Sequence, residues 1–207
     1  MAGSPEVDGF WPRFRSLLAL APAAVALGLA LVSPPILTCG SWAQFDLESL
    51  AWLSFVAGAA FRWWGAIYLA GAARGALVTA GPFSICRHPS QIGNLLLGTS
   101  LVLFIGSATF ALGFAIAAAA YLTVELRAEE RWLDRRYGRR FRDYCSQVPK
   151  VLIRPERFRS PETIFVSARE LVRELRCAAI WMWIPVISKT LAQFRAETWW
   201  PHLLRLP

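Results

Sequence analysis

Charge is what this 207-residue sequence has least of. Asp, Glu, Lys and Arg make up 17% of it, against about a quarter in ordinary soluble domains. None occurs within residues 16–45, 49–61, 63–73 or 89–124. A chain that is 56% hydrophobic, with thirteen Phe and ten Trp, has too much to bury to be disordered. It also has too few charges to cover a water-facing surface, so much of that surface faces lipid. Cysteine is scarce and unpatterned: Cys39, Cys86, Cys145 and Cys177 show no C-x-x-C spacing, which argues against a zinc site or a disulfide framework. No G-x-G-x-x-G is present, which excludes the phosphate-cradling loop of a soluble Rossmann enzyme. Internal repeats and low-complexity segments are absent as well.

The uncharged runs set the element count. A spanning helix takes about 20 apolar residues. Residues 16–37 supply one, and residues 47–73 a second, interrupted by Arg62. The 36-residue run 89–124 is too long for one crossing and short for two. Gly106-Ser107 near its centre predicts a tight turn between helices at roughly 90–105 and 109–128. The expected fold is therefore an all-α integral membrane bundle of four transmembrane helices, followed by an amphipathic C-terminal tail.

Seventeen of the 22 Lys and Arg lie at or after Arg127. Arg13 and Arg15 precede the first span, and Arg74 and Arg87 fall between the second and third. The 34–44 loop and the 104–109 turn hold none. The bias toward cytoplasmic positive charge then puts both termini and the 74–89 segment on the cytoplasmic side. A cleaved signal peptide over residues 1–38 fits poorly, because the apolar stretch is long and lacks an A-x-A site. The net charge of +8 sits largely in a juxtamembrane cluster (Arg131 to Arg154), suited to anionic lipid of the cytoplasmic leaflet. Nucleic acid is not an expected partner, and the oligomeric state is not legible.

That topology brings two polar segments together: Arg87-His88-Pro89 opening the third helix, and Glu129-Glu130 following the fourth. Antiparallel packed helices lie 8–10 Å apart, and charges near a membrane are usually paired or functional. The residues alone leave two readings open, a structural ion-pair cluster and a site.

Arg87-His88-Pro89-Ser90-x-Ile92-Gly93, followed by Glu129-Glu130-x-x-Leu133-x-x-x-Tyr137-Gly138-x-x-Phe141-x-x-Tyr144-x-x-x-Val148-Pro149, resembles the isoprenylcysteine carboxyl methyltransferase family, relatives of the phospholipid methyltransferases. The likeness covers residues 75–155. It implies an integral membrane methyltransferase that uses S-adenosylmethionine, with Leu77, Val78, Phe83, His88, Pro89, Ser90, Gln91 and Glu129 lining the cofactor and Gly93 and Glu130 supporting. Two positions depart from the pattern: Gln91 replaces the usual Tyr, and Glu125 stands where some members carry an Arg facing substrate. Arg127 is the nearest cation that would position substrate, with Arg87 as a further catalytic candidate.

The residue types suit the chemistry. A carboxylate binds ribose hydroxyls or an ammonium, and apolar side chains flank an adenine. Transfer from a sulfonium to an anionic carboxylate or thiolate needs alignment and desolvation more than a base. A neutral amine acceptor would bring in Glu125 or His88 to take a proton. Arg62, beside Trp63 and Trp64, is either a holder of a substrate's acidic headgroup or a snorkelling cation.

Residues 1–155 form the expected methyltransferase domain and residues 156–207 an extension that the likeness does not cover. Ser160-Pro161-Glu162 reads as a helix start, followed by an amphipathic helix. Residues 177–187, broken by Pro185, look too short to span and suit interfacial attachment, as do Trp199 and Trp200. The expected acceptor is a lipophilic or prenylated molecule at the cytoplasmic face. Two alternatives remain: an NADPH-dependent sterol-type reductase, which shares R-H-P and a pair like Tyr144-Cys145 but usually has Arg-Asp for Glu-Glu, and an inactive membrane scaffold.

Overall fold

The computed structural model describes residues 21–22, 24–31, 41–71, 76–150, 153–164, 166, 168–197 and 199–200, and these include no β-strand. Arg13, Arg15, Cys39 and Arg74 fall outside them, as do the side chains of Glu125 and Cys177. The elements are α1 (helical at 21–22 and 24–31), α2 (Trp42–Gly71), α3 (Pro82–Ile85), α4 (Pro89–Ile105), α5 (Ala108–Tyr137), α6 (Arg139–Gln147), a 3-10 turn (Pro155–Arg157), α7 (Ala168–Trp181) and α8 (Trp183–Ala196).

The bundle is built on α2 against α4. The buried positions of α2 are small apart from Phe55: Ala51, Ser54, Gly58 and Gly65. A Cβ on Gly58 would stand 2.9 Å from the Leu97 amide nitrogen, and one on Gly93 would stand 2.8 Å from the Gly58 carbonyl. The two backbones therefore touch, as small-residue crossings in lipid allow. The Ser54 hydroxyl donates to the Leu96 carbonyl at 2.8 Å across the same contact.

The Gly106 turn forms for the reason the sequence suggests. Gly106 ends α4 at φ +59, and Ser107 caps α5 by accepting from the Phe110 amide at 3.3 Å. Near that turn, Ala26 and Ala30 of α1 pack on Ile105 and Phe110. Helix α5 runs nine residues past the expected end, to Tyr137, because Leu133 and Tyr137 are held by the folded-back α6. Phe141, Tyr144 and Val148 form a buried cluster with them and with Leu77. The aromatic and aliphatic members of the 133–148 motif thus do structural work.

Two helices, α2 and α5, are long and apolar enough to cross a membrane, and α4 is a shorter apolar helix. Leu53, Val56, Leu69, Leu112 and Ile116 on α2 and α5 are all more than half exposed. An apolar surface of that kind suits a bundle that faces a membrane.

The tail is helical, as its pattern suggests, and it packs on the bundle: α7 against α2 and α8 against α4. Lys189 bonds Glu48 at 2.6 Å, the buried Arg195 donates to the Ile105 carbonyl at 2.7 Å, and the Trp200 indole donates to the Leu31 carbonyl at 2.6 Å. Pro185 does not stop the helix, because it occupies the first turn of α8, where its missing N–H goes unneeded. Trp199 and Trp200 therefore sit at the Gly106 end of the bundle, the end opposite His88; the C-terminal residues 201–207 lie outside the described residues. Lys189 is neutralised by Glu48, and Arg195 caps a helix-end carbonyl.

Candidate active site

The lead-in to α4 is strapped from outside. Gly81, at φ +63 against the Tyr68 ring, donates its N–H to the Arg159 carbonyl at 2.6 Å. The Ser84 hydroxyl donates to the Gly81 carbonyl at 2.6 Å and accepts the Arg159 N–H at 2.9 Å. The Tyr144 hydroxyl donates to the Phe83 carbonyl at 2.7 Å. The Arg87 and Arg154 amides donate to the Pro149 and Ile85 carbonyls at 3.0 and 3.1 Å. The strap fixes where α4 begins, and with it His88, whose carbonyl accepts the Gln91 and Ile92 amides.

His88 is buried, its side chain 4% exposed, between two carboxylates. Nδ1 lies 3.6 Å from Glu129 and Nε2 lies 3.4 Å from Glu130. The hairpin therefore brings together the imidazole and the acidic pair that the sequence placed at its two ends. The two acids differ. Glu130 is the hub of a junction, with Arg87 Nη1 at 3.1 Å, Lys150 Nζ at 2.7 Å and His88. It lies in the polar extension of α5, beyond the apolar run. Burial acts to raise its pKa, but the Lys150 and His88 contacts outweigh that and hold the carboxyl below its ordinary range. Glu129 is 45% exposed, and among the described residues its ion-pair contact is His88, which leaves carboxylate oxygen to meet a ligand.

Arg87 is a clasp. Nε donates to the Val148 carbonyl at 2.6 Å, Nη2 to the Cys145 carbonyl at 2.7 Å and Nη1 to Glu130. With all three nitrogens engaged, it positions α6 and Glu130. Burial pushes the nearby Cys86 thiol up to about 11 and also raises Cys145, so both stay protonated at neutral pH.

The other expected cofactor residues divide between faces. Pro89, Ser90 and Gly93 turn toward α2. A Cβ on Gly65 would meet the Ser90 hydroxyl at 2.8 Å and Pro89 at 3.7 Å, and the space beside Gly93 is taken by Gly58 and Arg62. The close approach that Gly93 permits is thus to another backbone, that of Gly58 on α2. Leu77 packs on the Tyr137, Phe141 and Tyr144 cluster, and Val78 and Phe83 are half-buried in the strapped loop. Arg127 is exposed and lines an open hollow of about 770 Å³ with Glu130, Arg131, Asp134, Arg135 and Arg142. That places it on the α6 side of α5.

Gln91 belongs to a polar string that the sequence reading missed. Its Oε1 accepts from Asn94 Nδ2 at 3.1 Å and from the Tyr121 hydroxyl of α5. Asn94 Oδ1 accepts from Arg62 Nη1 at 2.8 Å, and the Arg62 guanidinium lies 4.7 Å from the centre of the Trp181 ring. Where the family pattern has Tyr on α4, a phenol from α5 reaches the same level. Tyr121 had a signal: it is a lone Tyr in an apolar run, four and eight residues before Glu125 and Glu129, hence on their face of the helix. Lys150, counted only as tail charge, left no signal for its pairing with Glu130. No cluster of three or more side chains suited to a metal ion occurs among the described residues.

Comparison with known proteins agrees with the motif. The phospholipid methyltransferase family model matches residues 48–140, spanning α2 to the start of α6. The nickel-cobalt-cadmium resistance protein NccN of Alcaligenes xylosoxydans xylosoxydans is 27% identical over 207 residues, covering 100% of this chain and 96% of its own. The cobalt-zinc-cadmium resistance protein CzcN of Cupriavidus metallidurans is 28% identical over 159 residues, 75% of this chain and 71% of its own. Protein-S-isoprenylcysteine O-methyltransferase B of Arabidopsis thaliana is 30% identical over 73 residues, 35% of this chain and 37% of its own. No solved structure matches. The R-H-P and Glu-Glu motifs thus lie within a segment, residues 48–140, that is similar to the phospholipid methyltransferases, and a shorter stretch is similar to an isoprenylcysteine O-methyltransferase.

Proposed function

We propose that the chain is an S-adenosylmethionine-dependent membrane methyltransferase that modifies a lipophilic acceptor at the His88 end of the bundle. The observation that carries this reading is the buried His88 held between Glu129 and Glu130 at the junction of α4 and α5. The residues present fit the cofactor. Glu129 offers an exposed carboxylate beside His88, suited to ribose hydroxyls or an ammonium. Leu77, Val78 and Phe83 offer apolar flanks for an adenine in the loop just upstream. When bound, the cofactor supplies a sulfonium methyl already activated for displacement. The protein's share is then orientation and the exclusion of water: His88 and Glu129 fix the donor, while Glu130, Arg87 and Lys150 hold those two in register. The reading also includes passage of α1, α2, α4 and α5 through the bilayer, with the basic α5–α6 elbow on the cytoplasmic side.

Two relatives are named for metal resistance, and we read that link as modification of a membrane-borne acceptor. The carboxylates here already serve His88, Arg87 and Lys150. The test is a thermal-shift titration of purified protein in detergent with S-adenosylmethionine and, separately, NADPH. Saturation a hundredfold above Kd raises stability by about 2.7 kcal/mol. A shift with S-adenosylmethionine that is lost in Glu129→Ala and kept in Arg139→Ala, whose side chain is 90% exposed, is the expected result. A shift with NADPH alone overturns the assignment in favour of a reductase.

A further inference from the structure

We propose that Arg62, with Asn94 and Gln91 beside it and Trp181 across it, is the binding site for the anionic headgroup of a lipophilic ligand. The argument starts from a charge without a countercharge. Arg62 lies between the uncharged runs 49–61 and 63–73, and its side chain is half-buried. It meets one amide oxygen, Asn94 Oδ1 at 2.8 Å, and the Trp181 ring at 4.7 Å. Among the described residues no carboxylate lies within ion-pair distance of it.

A guanidinium withdrawn from water and faced with neutral groups is costly, yet the fold has made room for it. A Cβ on Gly93 would stand 2.7 Å from Arg62 Cγ, so the glycine lets the side chain pass the helix crossing. The orienting groups are also in place. Asn94 grips Gln91 at 3.1 Å, and the Tyr121 hydroxyl holds the same Gln91 oxygen. Both amides are thus fixed in orientation around the cation, and an arginine fork is the side chain best matched to a carboxylate or phosphate.

The site lies close to the proposed chemistry. Asn94 is six residues from His88 on one helix, about 9 Å. In the methyltransferase reading, on which this acceptor role rests, a carboxylate or thiolate held there attacks the methyl carbon. The carbon–sulfur bond breaks with its electron pair going to the sulfonium sulfur, and no proton moves. An anion and a sulfonium become two neutral groups. Trp181 comes from α7, outside the matched 48–140 segment, so the C-terminal extension supplies one wall.

The experiment measures equilibrium binding of radiolabelled palmitate, and of its methyl ester, to the full chain in nanodiscs of zwitterionic lipid. Palmitate is expected to bind at least about tenfold more tightly than the ester. Arg62→Gln should remove that difference, and Arg62→Lys should restore part of it. Equal binding of acid and ester by the unmodified protein overturns the proposal without any variant. So does an Arg62→Gln protein, intact by circular dichroism, that still prefers the acid. Inorganic phosphate that competes as well as palmitate would assign the site to a free anion and overturn the lipophilic part. The S-adenosylmethionine thermal shift is read in parallel. Its absence beside Arg62-dependent palmitate binding would refute the methyltransferase reading and leave the anion site standing.

Discussion

Glu129 and Glu130 are neighbours of one chemical type, and the structure assigns them opposite sensitivities. Glu130 is 21% exposed and meets Arg87, Lys150 and His88. Glu130→Gln keeps the shape but leaves two cations and an imidazole facing a neutral amide. Breaking a fully buried pair costs about 3–5 kcal/mol. Partial exposure of Glu130 and Lys150 discounts that to roughly 2 kcal/mol. For a chain of this length, about 2–4 °C per kcal/mol gives a fall in Tm of roughly 4–8 °C. Glu129 is 45% exposed with a single contact of 3.6 Å to His88, so Glu129→Gln should shift Tm by less than about 2 °C, in line with exposed pairs. The assay is a melting curve of each variant in detergent, with and without S-adenosylmethionine. Glu130→Gln should melt low yet keep a ligand-induced shift, and Glu129→Gln should melt normally and lose it. A Glu129 variant that melts low and retains the shift would refute the division of roles.

Acid should reveal the same junction. Glu130 titrates below the ordinary carboxylate range in the folded chain, so its stabilisation is complete above the unfolded value and is lost as pH falls through the folded one. Tm should drop on that acid limb in the native chain and less steeply in Glu130→Gln. Cys86, pushed up to about 11 by burial, should resist maleimide at pH 8 in the folded protein and react on unfolding. Gly93→Ala places a Cβ 2.8 Å from the Gly58 carbonyl and 2.9 Å from the Arg62 amide nitrogen. Backbone cannot swing aside, so about 1–3 kcal/mol of destabilisation should appear as a lower Tm. A cysteine at Trp199 should be labelled by an impermeant maleimide from the side opposite one at Lys150. Labelling of both from one side would refute the placement of α8 along α4.

The hairpin was legible because its signals are local. Gly106 can turn left-handed, Ser107 can cap, and Pro89 can open a helix, whatever the rest of the chain does. His88, Glu129 and Glu130 could be brought together from that hairpin alone. What escaped depends on neighbours distant in sequence. The sequence does not show that Arg87 meets the carbonyls of Cys145 and Val148. Gly93 reads equally as space for a ligand or for a helix, and only the register of α2 decides. In the tail, a break does fall within 177–187, at Met182, and Pro185 lies two residues inside the helix that follows. Charge counting, in turn, has no means of knowing that Lys189 meets Glu48.

The opposed faces of α4 explain why the site needs more than the matched segment. One face, with Gly93, Leu97 and Ser100, is spent on α2. The other carries His88 and Gln91 toward α5, and Asn94 lies between them, joined to both Gln91 and Arg62. Residues beyond 140 then close the arrangement at two levels. The 149–160 strap fixes the loop that delivers His88, and Trp181 covers Arg62 deeper in the bundle. In the proposed methyltransferase reading, the strap acts on the donor end, which the chemistry keeps constant, whereas Trp181 acts where the acceptor's headgroup would lie. On that reading, sequence change in α7 would let one hairpin and one methyl donor serve different lipophilic acceptors, with His88 and Glu129 left untouched.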